Sequence, residues 1–125
     1  MKTLLRTLLF LIPALGLAAD QVKHVKSEEA AKIIAKGGVT IVDVRTSDEF
    51  QEGHIKGAKN IDIMGDDFET KLAKLDKTKP VIVHCQAGGR STRALPVFQK
   101  LGFKELIHLD DGFGGWQDAG KPVEK

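Results

Sequence analysis

At 125 residues, 42% of them hydrophobic and without internal repeats, the chain has room for one small core and no second domain. Its 19 basic and 17 acidic side chains leave a formal net charge of +2, a balance that gives no reason to invoke nucleic acid or an anionic membrane. A single cysteine rules out an internal disulfide.

The chain opens with the basic stretch Met1-Lys2-Thr3-Leu4-Leu5-Arg6, an apolar run from Leu8 to Ala18, and small residues before Asp20. That is the layout of a secretory signal. The run is too short to span hydrocarbon and is interrupted by Pro13 and Gly16. Cleavage is expected after Ala18 or Ala19, leaving residues 20–125 as a periplasmic or secreted domain with no lasting membrane association. No cysteine near that point offers a site for a lipid anchor. Loss of Lys2 and Arg6 lowers the 19 basic side chains to 17, level with the 17 acidic ones. A lone cysteine in such an oxidising compartment is either inert and buried or a free reactive thiol.

Val22 to Val25 reads as a first strand, and Ser27-Glu28-Glu29 opens a helix by a capping hydroxyl and negative charge in the first turn. Ala30, Ile33 and Ile34 form its apolar face and Gly37-Gly38 closes it. The β-branched stretch Thr40 to Val44 is a buried strand, so strand, helix and strand predict a right-handed crossover and a parallel sheet. Asp43 stands at the carboxyl end of that strand, the edge where parallel sheets place ligands. A supporting role beside the cysteine loop is therefore an option for Asp43, although pairing within the scaffold is the favoured one. Arg45, Glu49 and His54 read as an ion and hydrogen-bond network holding one loop against another. A further helix starts at Asp66-Asp67 with Phe68, Leu72 and Leu75 on its apolar face.

Pro80 leads into the apolar run Val81-Ile82-Val83-His84, and after Ser91 the positions Ala94, Val97, Phe98 and Leu101 recur at helical spacing. Cys85 thus falls in a strand-to-helix turn, Cys85-Gln86-Ala87-Gly88-Gly89-Arg90-Ser91. Glycines there let successive N–H groups point inward, and the helix adds its unpaired donors and positive dipole end. Such a pocket lowers the pKa of a thiol, and the Arg90 guanidinium is expected to lower it further. Within the helix Pro96 removes a backbone donor and predicts a kink unless it still falls in about the first turn. Gly102-Phe103 ends the helix, Glu105 to Leu109 forms a last strand, and Trp116 is a core residue.

The loop resembles the Cys-x-x-Gly-x-Arg-Ser active-site loop of rhodanese-type sulfurtransferases. A second resemblance, independent of the first, runs through Asp43-Val44-Arg45, Glu49-Phe50, Gly53-His54-Ile55 and Gly57-Ala58. A third lies in Gly114-Gly115-Trp116 and Gly120-Lys121-Pro122-Val123. Together they cover residues 22–123. The resemblance implies an α/β domain of three layers, a mainly parallel sheet flanked by helices. It also implies that Cys85 is the catalytic nucleophile, with Gln86, Ala87, Gly88, Gly89, Arg90 and Ser91 binding substrate.

The implied chemistry is transfer of a sulfane sulfur from thiosulfate or an organic persulfide, through a persulfide on Cys85, to a thiol or cyanide. Arg90 would neutralise a donor's sulfonate or favour the thiolate, and Ser91 would cap the helix or donate to the sulfur, with the cap favoured. With Gln86 and Ala87 neutral, Arg90 alone brings charge to the loop. Cysteine phosphatases and arsenate reductases are the rival reading of His84-Cys85 with Arg90-Ser91, but their loops hold five residues between cysteine and arginine. Here there are four, which removes about 3.3 to 3.6 Å of contour and makes the cradle tight for a phosphate. A silent binding module, or a carrier that passes its persulfide on without turnover, is a third reading. His24, His54, His84 and His108 show no ligand spacing, so neither metal nor other cofactor is expected, and the domain is expected to act as a monomer.

Overall fold

The computed structural model describes residues 21–125; the expected signal segment and its cleavage point lie outside them. Five strands form one parallel sheet in the order β1 (Val22–Val25), β6 (Leu106–Leu109), β5 (Val81–His84), β2 (Thr40–Asp43) and β4 (Lys59–Asn60). A two-residue antiparallel pair, β3 (His54–Ile55) with β7 (Val123–Glu124), ties down the end of the chain.

The helices are α1 (Ser27–Lys36), α2 (Ser47–Glu52), α3 (Phe68–Leu72), α4 (Gly89–Leu101) and α5 (Gly112–Asp118). Because successive strand residues face opposite sides, β5 sends Val81 and Val83 one way and Ile82 the other. The first face packs on Phe68 and Leu72 of α3 and Ala94, Leu95 and Phe98 of α4. The second packs on Ala30 of α1 and Phe113 and Trp116 of α5. The result is the expected three-layer α/β arrangement. Phe98 lies between Phe68 and Phe103, with ring centroids 6.5 and 5.1 Å away, and a fully buried side chain of this size contributes roughly 1.5–3 kcal/mol.

One local expectation is corrected. Ser27 does not cap α1: the N-cap is Lys26, and the Ser27 hydroxyl reaches across to the Asp111 carboxylate at 3.1 and 3.2 Å. Asp111 thereby brings its negative charge to the amino end of α1 from another part of the chain. Pro96 lies inside α4, which runs on to Leu101. It sits on the exposed side, where the Thr92 carbonyl it leaves without an N–H partner can be met by water.

Two helices escape a reading of spacing alone. Helix α2 is set by a capping box: Glu49 N donates to Thr46 Oγ1 at 3.2 Å and Thr46 N donates to Glu49 Oε1 at 3.1 Å. Helix α5 forms from the glycine-rich stretch Gly112-Phe113-Gly114-Gly115, a poor helix former taken alone. Tertiary contact overrides that propensity. Phe113 N donates to Cys85 O at 2.9 Å and Gly114 N to Gln86 O at 3.1 Å, so the first turn of α5 buttresses the cysteine loop.

Candidate active site

Cys85 follows the last residue of β5, the sheet's central strand, and α4 begins four residues later. The side chain is 1% exposed. Its carbon side packs in the cluster with Val83 and Ala94, while its sulfur faces polar groups. Gly88 N donates to Sγ at 3.1 Å, and Ser91 Oγ lies 3.3 Å away. Burial alone would raise the thiol's pKa. The Ser91 hydroxyl and the N–H groups of Ser91, Gly88 and Ala87 outweigh it, so the pKa falls below the ordinary thiol value.

Glycine is required at two points of this cradle. Gly88 has φ 109°, and a Cβ there would stand 3.0 Å from the Asp110 carbonyl oxygen. Gly112 has φ 63°, and its Cβ would stand 2.3 Å from the Gln86 carbonyl oxygen. Only the absence of a side chain lets α5 approach the loop so closely.

Arg45 sits in the ion network expected of it, and Arg90 is paired as well. Arg90 does not present a free guanidinium to the sulfur: Nη1 donates to Glu49 Oε1 at 2.7 Å and Nη2 to Oε2 at 3.0 Å. The Arg90 hydrogen bonds, only partly offset by burial, hold the Glu49 carboxyl at a pKa of about 2. Glu49 therefore fastens α2 to the loop, as the network reading anticipated.

Arg45, 2% exposed, donates to both oxygens of fully buried Asp43, to Gly53 O at 2.8 Å and to Gln86 Oε1 at 3.2 Å, and lies over the Phe113 ring. Asp43 is thus paired within the scaffold, as favoured, and is linked to the cysteine loop only by way of Arg45 and Gln86. Gln86 also lines a cleft of about 310 Å³ together with Arg45, Glu49, Glu52, Phe113 and Gln117. Ala87 and Gly88 bring N–H groups to the sulfur, and Gly89 is the first residue of α4.

Ser91 is not a cap. It is the third residue of α4, whose N-cap is Gly88, and its hydroxyl lies between Sγ and His108 Nε2. His84 is the buried strand residue it was expected to be, with Nδ1 2.9 Å from Cys85 O. Its Nε2 is without a hydrogen-bond partner among the described residues, and burial lowers the pKa of the ring. The remaining surprise is that the sheet places His24 opposite His108. Their donor atoms and the Asp110 carboxylate lie within 4.8 Å of one another. Both Nδ1 atoms are hydrogen-bonded to Oδ1 of Asp110, at 2.7 and 2.6 Å, so the trio forms a hydrogen-bonded string.

A mainly parallel sheet with helices on both faces, its central strand ending at a cysteine in a backbone cradle, defines an α/β domain with a candidate cysteine site. The chain belongs to the rhodanese family: the rhodanese-like domain model matches residues 26–119. It is 30% identical over 97 residues to a thiosulfate sulfurtransferase GlpE of Shewanella oneidensis, covering 78% of this chain and 94% of the relative. It is 33% identical over 95 residues to that of Coxiella burnetii, covering 76% and 87%. A crystal structure of a rhodanese-related protein from Thermoplasma volcanium superimposes with a TM-score of 0.71 at 26% identity, over 82% of this chain and 97% of that one. The solution structure of a rhodanese-like domain from Anabaena shares the fold with a TM-score of 0.73 at 23% identity, over 81% of this chain and 77% of that one.

Proposed function

We propose that the protein is a sulfurtransferase that carries sulfane sulfur as a persulfide on Cys85. The carrying observation is the sulfur itself, within 3.1 Å of Gly88 N and 3.3 Å of Ser91 Oγ, in surroundings that lower its pKa. The Cys85 thiolate attacks the outer sulfur of thiosulfate or an organic persulfide. The donor's S–S bond breaks and its sulfite or thiolate leaves with the electron pair. The loop's N–H groups then hold the charged terminal sulfur until a thiol or cyanide attacks it and restores the thiolate.

Because Arg90 is held by Glu49, the loop offers a dianionic donor little free positive charge, and the cleft beside Gln86 brings Glu49 and Glu52 as well as Arg45. That favours an organic persulfide over thiosulfate as donor. It also keeps open the carrier reading, in which the persulfide passes to a partner without turnover on small molecules. In the same reading residues 1–19 direct the domain out of the cytoplasm, where it works as a monomer.

The test is sulfur transfer to cyanide from thiosulfate and from a glutathione persulfide, with wild type and Cys85→Ser, and with an aryl phosphate alongside. Thiocyanate that disappears in Cys85→Ser, with the persulfide the better donor and no phosphate released, is the expected result. A Cys85 persulfide without turnover would select the carrier, and phosphate release would select a phosphatase.

A further inference from the structure

Cys85 is joined to the surface by a string of hydrogen bonds that sulfur transfer, as described above, does not call on. Ser91 Oγ lies 3.3 Å from Cys85 Sγ and 2.7 Å from His108 Nε2. On the far side of that ring, His108 Nδ1 lies 2.6 Å from Asp110 Oδ1, which also meets His24 Nδ1 at 2.7 Å. Ser91 and His108 are buried, whereas His24 is exposed on the edge strand β1. The string therefore runs from the sulfur, across β6, to solvent.

Counting protons along it fixes how its members pair. Burial would raise the Asp110 pKa, but the hydrogen bonds from His24 and His108 outweigh it and hold the group as a carboxylate, which only accepts. Both Nδ1 atoms must then carry hydrogens. A neutral His108 has a bare Nε2, which takes the single proton of the Ser91 hydroxyl. That proton has three acceptors in reach: His108 Nε2, Gly88 O at 3.2 Å, and the sulfur. While it points at His108, Ser91 can only accept from the Cys85 S–H. It can turn toward a sulfur anion when His108 Nε2 brings a hydrogen of its own. Thiol therefore goes with neutral imidazole, and thiolate with imidazolium.

We propose that His108, positioned by Asp110, takes the Cys85 proton through the Ser91 hydroxyl. The S–H proton passes to Ser91 Oγ as the Ser91 proton passes to His108 Nε2. One S–H bond is exchanged for one N–H bond, the serine ends as it began, and no charge leaves the string. The product is a thiolate and an imidazolium bridged by Ser91, with Asp110 balancing the imidazolium. His108 and Asp110 are positioning residues, acting on the sulfur only through Ser91. The groups around His108 are consistent with this assignment. From β1 comes His24, its ring edge-on at 5.5 Å; from β5 comes His84, which burial favours as neutral; from α4 comes Ser91. Arg90 and Arg45 on neighbouring elements are held by Glu49 and Asp43. The inference deepens the proposed function by assigning where its Cys85 nucleophile loses a proton, while the coupling itself needs only the thiol.

Two measurements test it without any sulfur turnover. The first is the pH profile of Cys85 alkylation by iodoacetamide in wild type, His108→Asn and Asp110→Asn. The half-maximal point is expected to rise by about one pH unit in His108→Asn, a roughly tenfold slower reaction below it, and by less in Asp110→Asn. The second follows the ring nitrogens of His108 by NMR in wild type and in Cys85→Ala, which removes only the sulfur. His108 is expected to give up its ring proton at lower pH once the sulfur is gone, since coupling between two sites is reciprocal. Superimposable alkylation profiles for wild type and folded His108→Asn, or an unchanged His108 titration in Cys85→Ala, would overturn the proposal. If His108→Asn does not fold, the Cys85→Ala titration decides alone. Coupling found in a protein that transfers no sulfur would sink the sulfurtransferase reading and leave this one standing.

Discussion

Arg90 and Glu49 meet through two parallel hydrogen bonds, at 2.7 and 3.0 Å, that join the cysteine loop to a helix 41 residues earlier in the chain. With Glu49 lowered from 4.5 to about 2, its stabilising effect is fully present above pH about 5 and is lost as pH falls toward 2. Glu49→Gln keeps the capping box but loses the charge. Urea unfolding should show the variant less stable by up to about 1 kcal/mol near neutral pH, a modest gap because the pair is partly exposed to water. The gap should close at the acid end. A difference that stays constant down to pH 2 would contradict the pairing.

Asp43 and Arg45 make the buried counterpart. Asp43→Asn leaves a guanidinium without its charge partner inside the domain, and equilibrium unfolding should register a loss of about 3–5 kcal/mol. Replacing both, as Asp43→Leu with Arg45→Met, should recover a large part of that stability. Sulfur transfer should not recover with it, because Gln86 loses the Arg45 hydrogen bond that holds it.

Gly112 and Gly120 both have positive φ, at 63° and 70°, yet they differ in what surrounds them. Gly120→Ala meets nothing within 4 Å and should cost only the backbone penalty of about 1–2 kcal/mol. Gly112→Ala drives a methyl group into the Gln86 carbonyl and should cost more than that, with slower Cys85 alkylation as the loop is pushed aside. Equal stability for the two variants would mean that α5 does not brace the loop.

Pro96 lies on the exposed side of α4. Restoring the backbone donor with Pro96→Ala should gain helix stability of about 3 kcal/mol, offset by up to about 1 kcal/mol from the freer unfolded chain. A rise in thermal midpoint with unchanged sulfur transfer is expected, and a fall would show that the proline ring packs in a way its exposure conceals.

The parts legible in the sequence are those whose signal is local. Pro80 and the β-branched run announce β5, the glycines and the 94, 97, 98 and 101 spacing announce the turn and α4, and the Cys85 loop announces the family. What escaped depends on residues far apart in the chain. His24 and His108 are neighbours only because β1 and β6 pair in register, and no spacing rule joins positions 84 apart. Of the two roles open to Ser91 the favoured cap fails, because the glycine turn begins the helix earlier and leaves its hydroxyl near the sulfur, and its contact with His108 has no signal in the spacing. Helix α5 escaped because its glycines are there for close approach rather than for propensity.

The sheet order also bears on how the protein behaves in crowded solution. Its two outer strands are β1, which carries exposed Lys23 and His24, and β4, which is only two residues long and begins with exposed Lys59. Short, charged borders make poor templates for strand addition by another molecule. The sheet is thus closed to growth at both sides, and the reactive loop can sit at its centre without the domain being prone to stack into fibrils.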